Sequence, residues 1–523
     1  MINTSSLLSN KNFLYATEFF SGMSIMAVEL GASRLLAPYF SSSQIVWTII
    51  IGTIMIALAL GNVWGGRRAD LDADPAKLYR RLIIAALWIG AIPVLGKYLI
   101  LGVAGALIVT IDTNLLIWAA FLSCMAIFVL PLFLLGTVTP SLVKYATDNL
   151  EHNGRIVGNL NAFNTIGSII GTFLPTFVTI PAVGTAITFL IFSGILLLIG
   201  VIYFVSIGRK KVLAAILAFI ILAVLGNSNS FAFWEKNLLY EGESIYNYLQ
   251  VKETPDKIIF STNVMFGVQS LKVKSGGLTG YYYDYALAAP LLAENKKILI
   301  LGMGTGTFAE QCKKYFPESQ IIGVEIDEKI TALAKKYFSL PEIVEVVTYD
   351  GRAFLQSDKN IYDVILVDAF QDISPPFQMS STEFFSLVRN HLAERGVMVV
   401  NMNMRGDINE YLIDTIGKSF PAMKIIDARG VTNKVLFAAG EENILNGLQA
   451  RAEVLDDKKL SELMLHIAKT WQEPTLGENV LTDDRAPVEM LSMRALDKII
   501  SHHLEHYKEI YRREGLDGVL NSF

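Results

Sequence analysis

Lys297-Ile-Leu-Ile-Leu-Gly-Met-Gly-Thr-Gly306, with Ile321-Ile-Gly-Val-Glu325 after it, decides the fold of the C-terminal half. The run Lys297–Leu301 has the unbroken apolar pattern of a strand buried on both faces. Gly302-Met-Gly-Thr-Gly306 follows at once, and a helix is expected from about Thr307 to Phe316. The second strand, Ile321–Glu325, ends in an acid about 20 residues beyond the first glycine, the order of parts that makes an adenosine site. The glycines let the backbone approach a ligand, and Glu325 can accept hydrogen bonds from both ribose hydroxyls. Gly-x-Gly-x-Gly with Glu325-Ile-Asp327 suits a sulfonium nucleoside better than a pyrophosphate-bearing dinucleotide.

Further along, Val347-Thr-Tyr-Asp350-Gly351 ends a third strand in an acid placed for an adenine amino group. Tyr362–Asp368 is a fourth strand that carries Asp368 to the carboxyl edge of the sheet, where open α/β sheets bind ligands. Each acid also has a plainer reading as a helix cap. Upstream, Ser244–Val251 and Lys257–Ser261 alternate and are β-branched, as strands of a small β-meander. Beyond Asn443 the chain reads as helical and charged, with Thr482-Asp-Asp-Arg485 as a helix cap.

The other half differs in composition. The 523 residues are 52% hydrophobic and only 18% charged, and the apolar excess is concentrated before about Gly226. That asymmetry predicts a membrane part fused to a soluble part. A crossing helix needs roughly 20 apolar residues, and about seven segments approach that length. They are Phe13–Leu36, Ile45–Trp64, Leu82–Ile108, Leu115–Gly136, Val157–Ile180, Ala186–Ser206 and the short Val212–Leu225. Basic residues at Gly66–Arg81, at Lys144 and Arg155, and at Arg209-Lys210-Lys211 mark cytoplasmic loops. A seventh full crossing at Val212–Leu225 would put the soluble half outside the cell, but S-adenosyl cofactors are made inside. That short segment is therefore read as re-entrant or interfacial, and the soluble half as lying on the cytoplasmic side of the cell membrane. Glu29 and Arg34 lie within the first span, as an ion pair that fixes packing or as part of a substrate or headgroup path. Gly167-Ser-Ile-Ile-Gly171 fits close helix packing. The net charge of −5 gives no support for nucleic-acid binding. Cys124 and Cys312 lie in different halves without a CxxC partner, so neither a disulfide framework nor a metal site is expected.

The expected organisation is thus a multi-pass helical membrane domain (1–226), a connector and β-meander (227–290), and a Rossmann-like α/β domain of the S-adenosylmethionine methyltransferase type (291–442). A C-terminal helical extension (443–523) follows.

Residues from about Leu238 to Gly440 resemble spermidine synthase, a polyamine aminopropyltransferase. The likeness rests on Ser244-Ile-Tyr-Asn247, Gln269-Ser270, Tyr281-Tyr-Tyr-Asp-Tyr285, Gly302–Gly306, Glu325-Ile-Asp327, Asp350-Gly351 and Val367-Asp-Ala-Phe370. The membrane half resembles the fused, transmembrane branch of that family through Glu29–Pro38, Gly65–Asp70 and Leu481–Glu489. The resemblance implies transfer of an aminopropyl group from decarboxylated S-adenosylmethionine to putrescine, with methylthioadenosine released. It implies Asp368 as the base, and a donor site of Gly302, Gly304, Thr305, Gly306, Glu325, Asp327, Asp350, Gly351 and Asn247. It places the diamine near Tyr283, Asp284, Gln269, Gln371 and Asp372, uses no metal, and makes a homodimer the expected assembly.

The sequence departs from the family pattern on the polyamine side. Thr305 stands where the family has an acid in the glycine loop, which removes a counter-ion for the aminopropyl ammonium. Gln371 takes the place of the second acid after Asp368, with Asp372 one residue on. Intact S-adenosylmethionine therefore stays open as the donor, for methyl transfer or for acceptor-free cleavage to methylthioadenosine. A non-catalytic sensor or transporter is the further alternative.

Overall fold

The computed structural model describes residues 10–111, 113–146, 153–227, 230–264, 267–293, 296–370, 374–403 and 406–521. They form two compact units. One takes in the chain up to Lys236, Gly242–Tyr248 and the residues from His503 on; the other takes in Asn237–Glu241 and Leu249–His502.

The first unit is helical: α1 (Lys11–Phe40), α2 (Gln44–Leu71), α3 (Pro75–Thr110), α4 (Leu115–Gly136), α5 (Val138–Ala146), α6 (Asn153–Leu174), α7 (Ile180–Ser206) and α8 (Leu213–Asn227). Side-chain caps start them where the sequence supplies Asn, Ser or Asp. Asn10 accepts from Asn12 N, Ser43 from Val46 N, and Asp74 from Ala76 N ahead of Pro75. Among the described residues five helical runs are long and apolar enough to cross a bilayer: Lys11–Phe40, Gln44–Leu71, Pro75–Ile108, Leu115–Ala146 and Asn153–Ser206. The last run covers two of the expected spans. A π-helical turn, Pro175–Thr179, lies within it between α6 and α7, and it breaks at Gly184 with φ +82°. The expected span at Val212–Leu225 is α8, whose 15 residues reach only about 22 Å, short of a bilayer core of about 30 Å.

Glycines set the closest helix approaches. A Cβ on Gly167 would lie 2.0 Å from Phe19 O, and one on Gly171 2.0 Å from Met23 O, so α6 lies backbone to backbone on α1. Gly171→Leu should therefore lower the thermal midpoint of the detergent-purified chain, at an expected cost of about 3 kcal/mol or more. An unchanged midpoint would contradict this packing.

Among the described residues Glu29 shows no ion pair with Arg34. Arg34 donates to Ser244 O at 3.2 Å and to Ile245 O, because an arginine near a helix end reaches carbonyls its own helix cannot offer. The break at Gly184 is likewise satisfied from a distance: Glu243 accepts from Thr185 N at 2.8 Å and Thr185 Oγ1 at 2.6 Å. A carboxylate thus caps the helical stretch that restarts at Thr185.

The β-meander has four strands in the order β1 (Leu238–Glu243), β2 (Tyr248–Glu253), β3 (Lys257–Ser261) and β4 (Ser270–Val273). Ser244–Asn247, expected as the start of a strand, is instead the β1–β2 turn. Ser244 Oγ accepts from Tyr246 N at 3.1 Å and Asn247 N at 2.9 Å, a serine turn that competes with strand pairing.

Two short helices, α9 (Tyr282–Ala286) and α10 (Ala288–Leu292), lead into the main sheet. Its elements are β5 (Lys297–Leu301), α11 (Thr307–Tyr315), β6 (Gln320–Glu325), α12 (Glu328–Tyr337), β7 (Glu345–Thr348), α13 (Gly351–Ser357), β8 (Tyr362–Val367), α14 (Thr382–Asn390), β9 (Leu392–Met402), α15 (Asp407–Ile416), β10 (Ala422–Asp427) and β11 (Lys434–Ala439). The strand order is β10-β11-β9-β8-β5-β6-β7, parallel from β9 to β7, with β10 and β11 antiparallel. After β5 the chain winds outward through β6 and β7, then returns to place β8 on the other side. That switch point opens a crevice at the carboxyl ends of β5 and β8.

Four helices follow: α16 (Glu442–Asn446), α17 (Leu448–Glu453), α18 (Lys458–Thr470) and α19 (Val488–Asn521). Thr482-Asp-Asp-Arg485 is not a helix cap, since α19 starts only at Val488. It is a tight turn closed by paired backbone bonds between Thr482 and Arg485. Its Asp483 is drawn to charge: Arg352 grips it with two hydrogen bonds, at 2.7 and 2.6 Å, and Ser381 Oγ donates at 2.5 Å.

Candidate active site

The glycine loop sits in the crevice. Gly302 has φ +81°, and a Cβ there would lie 2.6 Å from both Asp368 O and Ala369 Cα. Only glycine lets the loop pass so close to the end of β8. Gly304 (φ +57°) turns its N–H to Glu325 Oε2 at 2.8 Å. Glu325 also accepts from Asp327 N at 3.1 Å. Burial pushes its carboxyl up to about 7 against those two backbone bonds, and Asp327 adds repulsion. Asp327 caps α12 through Lys329 N, and Asp350 caps α13 through Ala353 N at 2.8 Å. Both thus fill the helix-cap role, and a cap leaves a carboxylate further acceptor capacity. Gly351 opens α13 where a Cβ would meet the Met379 methyl at 3.1 Å. Gly306 precedes α11. Thr305 is buried (1% exposed), its N–H donates to Ser270 Oγ at 3.3 Å, and its own Oγ1 has no hydrogen-bond partner among the described residues.

Asp368 stands beside the loop at the end of β8. Tyr282 OH donates to its Oδ2, and Asn401 Nδ2 to its Oδ1 at 2.8 Å. Asn433 Nδ2 donates in turn to Asn401 Oδ1 at 2.8 Å, which fixes the amide so that its NH₂ faces the carboxylate. Burial pushes Asp368 up to about 7, more strongly than the two hydrogen bonds pull it down, and the charge of Glu325 raises it further. Among the described residues no basic side chain pairs with either acid. Two carboxylates held apolar and unneutralised in one crevice favour a cationic ligand.

The remaining expected residues fall in several places. Tyr283 is buried and donates to Gln269 O at 2.7 Å, with its ring 4.0 Å from that of Tyr282. The tyrosine on Asp368 is therefore Tyr282, one residue before the one the sequence singled out. Asp284 is buried, and its two oxygens take four donors: Thr279 N, Thr279 Oγ1, Gly280 N and Gln311 Nε2, the last at 2.5 Å. It ties the loop before α9 to α11. Asn247 closes the β1–β2 turn through its backbone and belongs to the first unit. Gln371 and Asp372 lie outside the described residues. Tyr282, Asn401 and Asn433 escaped sequence reasoning; the run Tyr281–Tyr283 marked the place but not the register.

A Rossmann-like sheet thus places a glycine cradle and two buried acids, Glu325 and Asp368, at the carboxyl ends of its strands. A model of the spermine/spermidine synthase domain matches residues 285–426. A probable polyamine aminopropyl transferase of Bifidobacterium longum is 50% identical over 61% of this chain and 77% of its own. Polyamine aminopropyltransferase 1 of Aquifex aeolicus is 30% identical over 31% of this chain and 59% of its own. A probable spermidine synthase structure from Corynebacterium glutamicum has 19% identity and a TM-score of 0.36, covering 46% of this chain and 96% of that one. The chain belongs to the polyamine aminopropyltransferase family, whose members are transferases.

Proposed function

We propose that the protein is a membrane-bound aminopropyltransferase that uses decarboxylated S-adenosylmethionine as donor and putrescine as acceptor, with its α/β domain on the cytoplasmic side. The observation that carries the reading is Asp368, buried beside the glycine loop and held between Tyr282 and Asn401. A primary amine is protonated at neutral pH and cannot attack. A carboxylate poised near 7 can take its proton and hold the nitrogen in line with the carbon beside the sulfonium. The new C–N bond forms as the C–S bond breaks. The electron pair returns to sulfur as the neutral thioether of methylthioadenosine, and the amine proton goes to Asp368. Glu325 would hold the ribose and Asp350 the adenine. The five apolar runs support membrane attachment.

Thr305 bears on the donor. Its hydroxyl carries no charge to repel the carboxylate of intact S-adenosylmethionine, and Thr305→Asp should shift preference toward the decarboxylated form. The test is to incubate purified protein with each donor form, with and without putrescine, and identify products by mass. Spermidine formed only from the decarboxylated donor supports the reading. Methylthioadenosine or a methylated product from intact donor, without spermidine under any condition, would replace it with another S-adenosylmethionine-dependent activity.

A further inference from the structure

The helical unit holds a carboxylate that aminopropyl transfer does not use. Glu18 lies in α1, is fully buried (0% exposed), and sits in a run apolar enough to cross a bilayer. Its Oε1 accepts two hydrogen bonds, from Thr139 Oγ1 at 2.6 Å and Asn164 Nδ2 at 2.8 Å. Among the described residues its Oε2 has no hydrogen-bond partner, and neither does Ser21 Oγ, three residues on and 1% exposed. Residues three apart on a helix are neighbours, so an unpartnered carboxylate oxygen and an unpartnered hydroxyl, which can accept as well as donate, share one face of α1. Among the described residues no basic side chain pairs with Glu18.

A carboxylate in such surroundings is costly unless a positive charge or a proton answers it. The surrounding packing holds the arrangement rigid. A Cβ on Gly22 would lie 2.5 Å from Asn164 O, so α1 and α6 touch just where Asn164 reaches Glu18. Thr139 comes from α5, immediately after the chain leaves α4 at Thr137. Both protein donors are spent on Oε1, which leaves Oε2 and the Ser21 hydroxyl, three residues on, without a hydrogen-bond partner among the described residues. A protonated primary amine supplies one charge and three N–H donors on a small head, and its methylene chain suits an apolar bundle.

We propose that Glu18, with Ser21 and oriented by Thr139 and Asn164, binds the ammonium end of a polyamine inside the helical unit. The site is separate from the Asp368 pocket and rests on the family reading that this chain handles such amines. The test is equilibrium binding of labelled spermidine, without donor, to the full-length chain in lipid nanodiscs. The parent is expected to bind one more spermidine per chain than Glu18→Gln, and Ser21→Ala to weaken that extra site by about threefold, less than a tenfold loss. Transfer activity of both variants should stay within about twofold of the parent, since neither residue belongs to the transfer site. Equal stoichiometry in parent and Glu18→Gln overturns the proposal, as does a Glu18 that answers only to pH. If Glu18→Gln fails to fold, Ser21→Ala and Thr139→Val decide: unchanged binding in both overturns it. Loss of spermidine formation with the extra site intact would instead count against the aminopropyltransferase reading.

Discussion

Asp368→Asn should lower kcat for aminopropyl transfer by about 10²–10⁴-fold, the usual contribution of a positioned general base, with donor KM changed little. Asparagine keeps the contact with Tyr282 but cannot take the amine proton. In the parent, kcat/KM should rise with pH through about 7, where the free Asp368 carboxyl ionises. The midpoint for kcat should lie lower, because the sulfonium and ammonium charges of bound substrates favour the carboxylate. The residual activity of Asp368→Asn should lose that inflection. Stability runs the other way. Burial raises the folded-state value above the ordinary 3.8, so the stabilising protonated form is fully present below about 4 and is lost as pH rises through about 7. The substitution should therefore raise the thermal midpoint at pH 8 and change it little at pH 4. A steady kcat, or a midpoint gain confined to acid, would rule out Asp368 as the buried base.

Glu325→Gln should raise the donor KM by about 10²-fold, the worth of charge-assisted bonds to two hydroxyls, and lower kcat much less. The amide still accepts from Gly304 N or Asp327 N but offers the ribose no charge. Because the charge of Glu325 raises Asp368, its removal should also move the kcat/KM midpoint toward acid. That coupled shift separates ribose binding from a merely structural role. A KM within a few-fold of the parent, with the midpoint unmoved, would take Glu325 out of the donor site.

The frame of the α/β domain was legible because local signals agree. The apolar run of β5, the glycines whose positive φ angles turn the chain, and the acid ending β6 each follow from a few neighbouring residues. What could not be read depends on contacts remote in sequence. Asn401 meets Asn433 across 32 residues, and no spacing rule links them. Tyr282 rather than Tyr283 meets Asp368 because the backbone turns into α9 there, and three consecutive tyrosines hide that register. Arg34 finds its carbonyls 210 residues away, and Glu243 caps the break at Gly184 from 58 residues on. Hydropathy located the apolar runs, yet it could not show that two expected spans are joined in one helical run. It also passed over Glu18, whose partners come from α5 and α6.

The most direct measurement of the central claim uses decarboxylated donor labelled on its aminopropyl carbons, putrescine and the full-length chain. Labelled spermidine should appear in equal amount with unlabelled methylthioadenosine, and both should vanish in Asp368→Asn. Methylthioadenosine without labelled spermidine, or labelled spermidine undiminished in Asp368→Asn, would contradict it.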